Sequence, residues 1–180
     1  MIKYLIDLDE TLVNTTPLNN DAYNYALEKF GFNRIITTNR ITRDNIFNPD
    51  IKTYNQIVEL KQKYFIENWL KYRVVINYIL LDKIKSFGKQ NCFIWTMANK
   101  ERANAIINAC KLEPYFNDII FDNKESLTKT IDFVKPILKT NNLIIYENNH
   151  EFFTNTNSKI IDEIVNNNFN IKGYKIKNSI

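Results

Sequence analysis

The sequence predicts an α/β fold in which a parallel sheet, layered by helices, carries an inserted block of helices. Three observations predict it. Four short, nearly continuous apolar runs recur at Ile2–Ile6, Cys92–Trp95, Ile119–Phe121 and Leu143–Tyr146. Such runs are the mark of strands covered on both faces. Amphipathic helical patterns separate the later runs, which argues for right-handed crossovers between parallel strands. The first and second runs are instead separated by a long stretch, from about 17 to 87, whose periodicity is helical throughout.

The elements follow in order. After the first strand, Tyr23, Ala26, Leu27 and Phe30 form one helical face that stops at Gly31, a good helix terminator. Ile57, Leu60 and Tyr64 mark a second helix, and Ile76, Leu80, Ile84 and Phe87 a third that ends at Gly88. Ala103, Ile106, Ile107 and Cys110 stand at i, i+3, i+4 and i+7, a single face. Leu127, Ile131, Val134 and Leu138 form another, with Pro136 near its end. Ile160, Ile161, Ile164 and Val165 have helical spacing behind Ser158 as N-cap, with Asn166–Asn168 as helix end and turn. Ile171–Ile176 alternates and is expected to be an edge strand. The resulting division is a core of 1–16 with 77–180 and an α-helical insertion of 17–76.

Composition limits the function. The chain has 180 residues, 44% of them hydrophobic, enough to bury a core without disulfides or structural metals. Its charge of +4 comes from dispersed lysines, not from a basic block, which argues against a nucleic-acid partner. No apolar run is long enough to cross a membrane, and the first six residues lead directly into a polar motif, not a signal peptide. The two cysteines, Cys92 and Cys110, lie on apolar faces without metal-ligand spacing, and a reducing cytoplasm suits them. The abundance of Asn, Ile, Lys, Tyr and Phe reads as AT-rich codon usage and not as function.

Chemistry is concentrated at strand ends. Asp7 and Asp9 leave the first apolar strand two residues apart in Asp7-Leu8-Asp9-Glu10-Thr11. Carboxylates next to a buried strand are costly unless compensated, and a magnesium ion compensates them well. An Asp can then act as a nucleophile on phosphorus, with a second carboxyl moving protons. Thr96 ends the second strand, just before Met97-Ala98-Asn99 and a helix whose N-terminus favours anions. Glu147 ends the fourth strand, with Glu151 four residues on.

The segment Ile6-Asp7-Leu8-Asp9-Glu10-Thr11-Leu12-Val13 resembles the first motif, DxDx[TV], of the haloacid dehalogenase superfamily, and all four motif stations follow in order. The resemblance implies a Rossmann-like core, a helical cap inserted after the first motif, Mg2+ and a phosphatase acting on a small phosphate ester such as a nucleotide or sugar phosphate. It implies that Asp7 is the nucleophile, Asp9 the acid and base, and Thr96 a phosphoryl ligand. Asp7, Asp9 and Glu147 would hold the metal, and Thr11, Met97, Asn99 and Arg43 would contact phosphate or substrate. The motif lysine is Lys124, Lys129 or Lys135, and spacing between the third and fourth strands favours Lys129. In the cap, Asn20, Arg40 and Arg73 are further polar candidates. One departure stands out: the family places Asp where this chain has Glu147. That substitution leaves open a weakened binding protein, and the scaffold leaves open a phosphotransferase or mutase.

Overall fold

The computed structural model describes residues 1–46, 50–72, 74–154 and 158–176; of the expected site residues, Arg73 lies outside them. The chain forms two compact units, Met1–Asn14 with Val75–Ile180, and Thr15–Val74.

The first unit is built on a six-stranded sheet. Its strands are β1 (Lys3–Asp7), β4 (Cys92–Thr96), β5 (Asp118–Phe121), β6 (Leu143–Glu147), β7 (Lys159–Asn166) and β8 (Phe169–Ile176), in the order β5-β4-β1-β6-β8-β7. β1 pairs in parallel with both β4 and β6, and β4 with β5. Every residue of β4 and β6 is buried, as their unbroken apolar sequences require. Helices cover both faces. On one, α5 (Leu127–Leu138) packs Leu127, Val134 and Leu138 against Leu5, Phe93, Trp95 and Ile145. On the other, α3 (Tyr78–Phe87) stacks Phe87 on Tyr4 at 3.9 Å, and α4 (Lys100–Ala109) buries Ala103, Ile106 and Ile107. Pro136 lies inside α5, which continues past it to Leu138.

The C-terminal region departs from the sequence expectation. Residues 159–166, expected as a helix, form β7, which pairs antiparallel with β8 through a two-residue turn at Asn167–Asn168. The four β-branched residues that suggest a helical stripe suit a strand better, since branched side chains pack well on a pleated surface. β8 is therefore not an edge strand; it lies between β6 and β7, and β7 is the edge. The interior position of β8 has a steric signature at Gly173. A Cβ there would lie 2.8 Å from the Tyr146 ring on β6.

A second small difference lies where the chain enters and leaves the insertion. β2 (Val13–Asn14) pairs antiparallel with β3 (Val75–Ile76), although no strand was expected in that stretch. Directly after β3, Asn77 donates its backbone N–H to Leu12 O (2.8 Å) and its side-chain amide to Thr11 O (3.2 Å), and its side-chain oxygen caps α3. The loop after Asp7 is thus stitched to the returning chain.

The second unit packs α1 (Thr16–Lys29) against α2 (Ile51–Glu67) around Tyr23, Ala26, Leu27, Ile41, Ile46 and Ile57. Its asparagines have structural work. Asn24 brackets the backbone of Ile35, accepting from its N–H (2.8 Å) and donating to its C=O (3.1 Å). Asn20 accepts from Ile41 N–H (2.8 Å) and donates to Asn39 O (2.7 Å), and Asn19 donates to Ile41 O (2.9 Å). Residues 32–42 lie in no strand, and these amides satisfy the backbone N–H and C=O of both Ile35 and Ile41.

Candidate active site

Parallel strands bring their carboxyl ends to one edge of a sheet. Asp7, Thr96 and Glu147 are the last residues of β1, β4 and β6, and Lys124 follows the end of β5 by three residues. Lys124 Nζ lies 2.5 Å from Asp7 Oδ1 and 2.7 Å from Glu147 Oε2. All three side chains are at least nine-tenths buried.

Each member is held by its own loop. Beyond Asp7, the N–H groups of Leu12 and Val13 both donate to Leu8 O, and Glu10 takes a left-handed φ of 64° to close the turn. Glu147 Oε1 accepts from the backbone N–H groups of Asn148 and Asn149, each at 3.0 Å. Lys124 also has a left-handed φ, 50°, and its N–H donates to Asp122 Oδ1 (3.2 Å). Thr96 Oγ1 accepts from Ala98 N–H (3.1 Å) at the entrance to α4.

Two carboxylates share one ammonium, so the buried trio carries an excess negative charge. Burial foremost, and then the Glu147 charge, push Asp7 up to about 7, although Lys124 pulls it down. For Lys124, burial favours the neutral amine, but the two carboxylates outweigh it and raise its pKa. A site with surplus buried negative charge fits a cation. Among the described residues no group of three or more His, Cys, Asp or Glu side chains is placed to hold one. Two carboxylates with water and phosphate oxygens completing the shell is nonetheless what magnesium ordinarily accepts.

Other expected residues are placed differently. The carboxylate of Asp9, expected as a metal ligand, is ion-paired with Arg102 of α4, which is itself buried. Lys129, expected to be the motif lysine, is 71% exposed and pairs with Glu125 one helical turn away. The reason is helical geometry. Lys129 lies two residues from Leu127, off the buried stripe of α5, and so faces water. Lys124, between strand end and helix, takes the position beside Asp7. Thr11 is fully buried, donates to Asn148 Oδ1 and accepts from Asn148 N–H, both at 3.1 Å, and so braces the Asp7 loop against the Glu147 loop. Asn99 caps α4 by accepting from Arg102 N–H (2.8 Å), and the Met97 side chain is exposed. Arg43 is exposed in the second unit. There, too, Arg40 donates to Thr15 Oγ1 (2.9 Å).

Solved structures share this architecture. A haloacid dehalogenase-like hydrolase of Streptococcus pneumoniae superposes with a TM-score of 0.59 at 15% identity, over 76% of this chain and 70% of that one. A predicted phosphoglycolate phosphatase of Haemophilus somnus gives 0.61 at 13% identity, over 76% and 71%. CbbY of Rhodobacter sphaeroides, solved in complex with phosphate, gives 0.59 at 16% identity, over 77% and 72%. The chain has the haloacid dehalogenase-like fold. No protein-family model matches the sequence, and no curated protein does. Within this fold, three residues escape the sequence reading, Arg102, Trp95 and Asp122, while Lys124, a candidate there, stands where Lys129 was expected. A signal for Lys124 was present, since Asp122-Asn123-Lys124 is the first polar turn after β5, and such turns carry the ligand-facing residues.

Proposed function

We propose that the protein is a Mg2+-dependent phosphatase that hydrolyses a small soluble phosphate monoester through an aspartyl-phosphate on Asp7. The observation that carries this reading is the buried Asp7–Lys124–Glu147 trio at the carboxyl edge of the parallel strands. A carboxylate so placed, with an ammonium beside it to offset phosphoryl charge, is arranged for in-line attack on phosphorus. An oxygen of Asp7 forms the bond to phosphorus while the bond to the ester oxygen breaks, and the departing oxygen takes a proton from the Asp9 carboxyl. Asp9 then takes a proton from water as that water attacks phosphorus, releasing phosphate and restoring Asp7. Thr96 and Lys124 bind phosphoryl oxygens. Asp7 and Glu147 would hold Mg2+, which supplies further neutralisation of the phosphoryl charge. Arg102 anchors Asp9 from α4. Small metabolites are favoured by the neighbours' own ligands, since CbbY was solved with phosphate and, as a variant, with xylulose-1,5-bisphosphate. A nucleotide or sugar phosphate fits equally.

The test is phosphate release from p-nitrophenyl phosphate and a panel of phosphometabolites, with and without Mg2+. Release is expected to require Mg2+ and to vanish in Asp7→Asn while that variant keeps its circular dichroism spectrum. Turnover persisting in Asp7→Asn would overturn the nucleophile, and a folded protein inactive on every ester would overturn the phosphatase reading.

A further inference from the structure

Trp95 occupies the position before Thr96 on β4, where any apolar side chain would fill the sheet interior, yet it does more than fill space. Its ring is fully buried, and Lys124 Nζ lies 3.7 Å from the ring centroid. The ammonium therefore has Asp7 and Glu147 as hydrogen-bond partners and an aromatic face as a further contact. The indole is fixed in turn, because Trp95 Nε1 donates to Asp122 Oδ2 (2.9 Å). The other oxygen of that carboxylate accepts the backbone N–H of Lys124 (3.2 Å), and the Thr130 hydroxyl donates to Oδ2 at 2.5 Å. One carboxylate thus ties the ring to the peptide of the lysine whose head rests on the ring.

A lysine stem is flexible and its head is a strongly hydrated point charge. Once buried, that charge loses water, and the face of an indole restores part of the lost stabilisation from one defined direction. We propose that Trp95, oriented by Asp122, is a positioning residue for Lys124 and sets the ammonium across Asp7 and Glu147. This rests on the reading of Asp7 and Lys124 as reacting groups, but the coupling between ring and ammonium can be measured without turnover.

The chain has two tryptophans, Trp69 and Trp95, so a Trp69→Phe background isolates the emission of Trp95. In that background Lys124→Met should shift the emission and Lys129→Met should leave it unchanged. Orthovanadate with Mg2+ should shift it when Lys124 is present and not in Lys124→Met. If the emission ignores Lys124→Met, the proposal is overturned, whether or not the protein is a phosphatase. If the emission responds but no ester is hydrolysed, the coupling stands and the phosphatase reading fails alone. Where turnover is found, Trp95→Leu should lower kcat about tenfold, and Trp95→Phe, which keeps a ring face, less than about threefold, with KM nearly constant in both. Equal loss in the two variants would reduce Trp95 to packing and overturn the proposal.

Discussion

The sheet of this protein has two halves built on different rules. In the parallel half, β5-β4-β1-β6, every strand runs the same way, and Asp7, Thr96, Lys124 and Glu147 gather at one edge. In the antiparallel half, β8 runs against β6 and β7 runs against β8, so neighbouring ends alternate, and their polar groups answer structural needs: Lys83 pairs with Asp162, and Lys172 with Glu163. The same backbone chemistry therefore yields a buried charge cluster in one half and ordinary ion pairs in the other. Strand direction makes the difference, because only co-directional strands bring loop after loop to the same place.

Substitutions can break or sharpen that contrast. The largest effect is expected at Lys124. Lys124→Ala should lower kcat by about 10²–10³, the usual cost of removing one group that stabilises transition-state charge, while Lys129→Ala, on the surface, should change it less than about twofold. Matching losses in the two variants would erase the distinction between strand-end and helix-face lysines. Next comes the metal. Saturating Mg2+ should raise the melting temperature of the unaltered protein by an amount equivalent to about 2–3 kcal/mol, and Glu147→Ala should remove most of that gain. Thermal scans with and without Mg2+ measure it, and a full gain in Glu147→Ala would take Glu147 out of the metal site. The smallest effect belongs to the antiparallel half. Gly173→Ala forces a methyl group against the Tyr146 ring and should cost about 1–3 kcal/mol in urea unfolding, with KM unchanged. A neutral outcome would mean that β8 and β6 separate easily.

The contrast also governs what the sequence revealed. The central strands β1, β4 and β6 of the parallel half are legible because cover on both faces favours unbroken apolar runs, and because Asp7, Thr96 and Glu147 end those runs. The antiparallel half resists reading because β7 is an edge strand with six of its eight residues exposed, so burial imposes no alternation on it, and the spacing of Ile160, Ile161, Ile164 and Val165 copies a helical stripe. Residue spacing between strands favours Lys129 over Lys124, a measure blind to which way a helix turns its side chains. The Asp9–Arg102 pair and the Trp95–Asp122 bond join residues 93 and 27 apart in sequence, and no local pattern announces them.

The asparagine brackets of the second unit have a consequence for motion. Residues 32–42 take no regular structure, but the amide protons of Ile35 and Ile41 are held by side chains of α1, each at 2.8 Å, the spacing of a strand ladder. Exchange with deuterium at those two positions is then governed by the opening of α1 and not by the loop itself. Residues 32–42, in neither helix nor strand, thereby acquire the kinetic signature of a sheet.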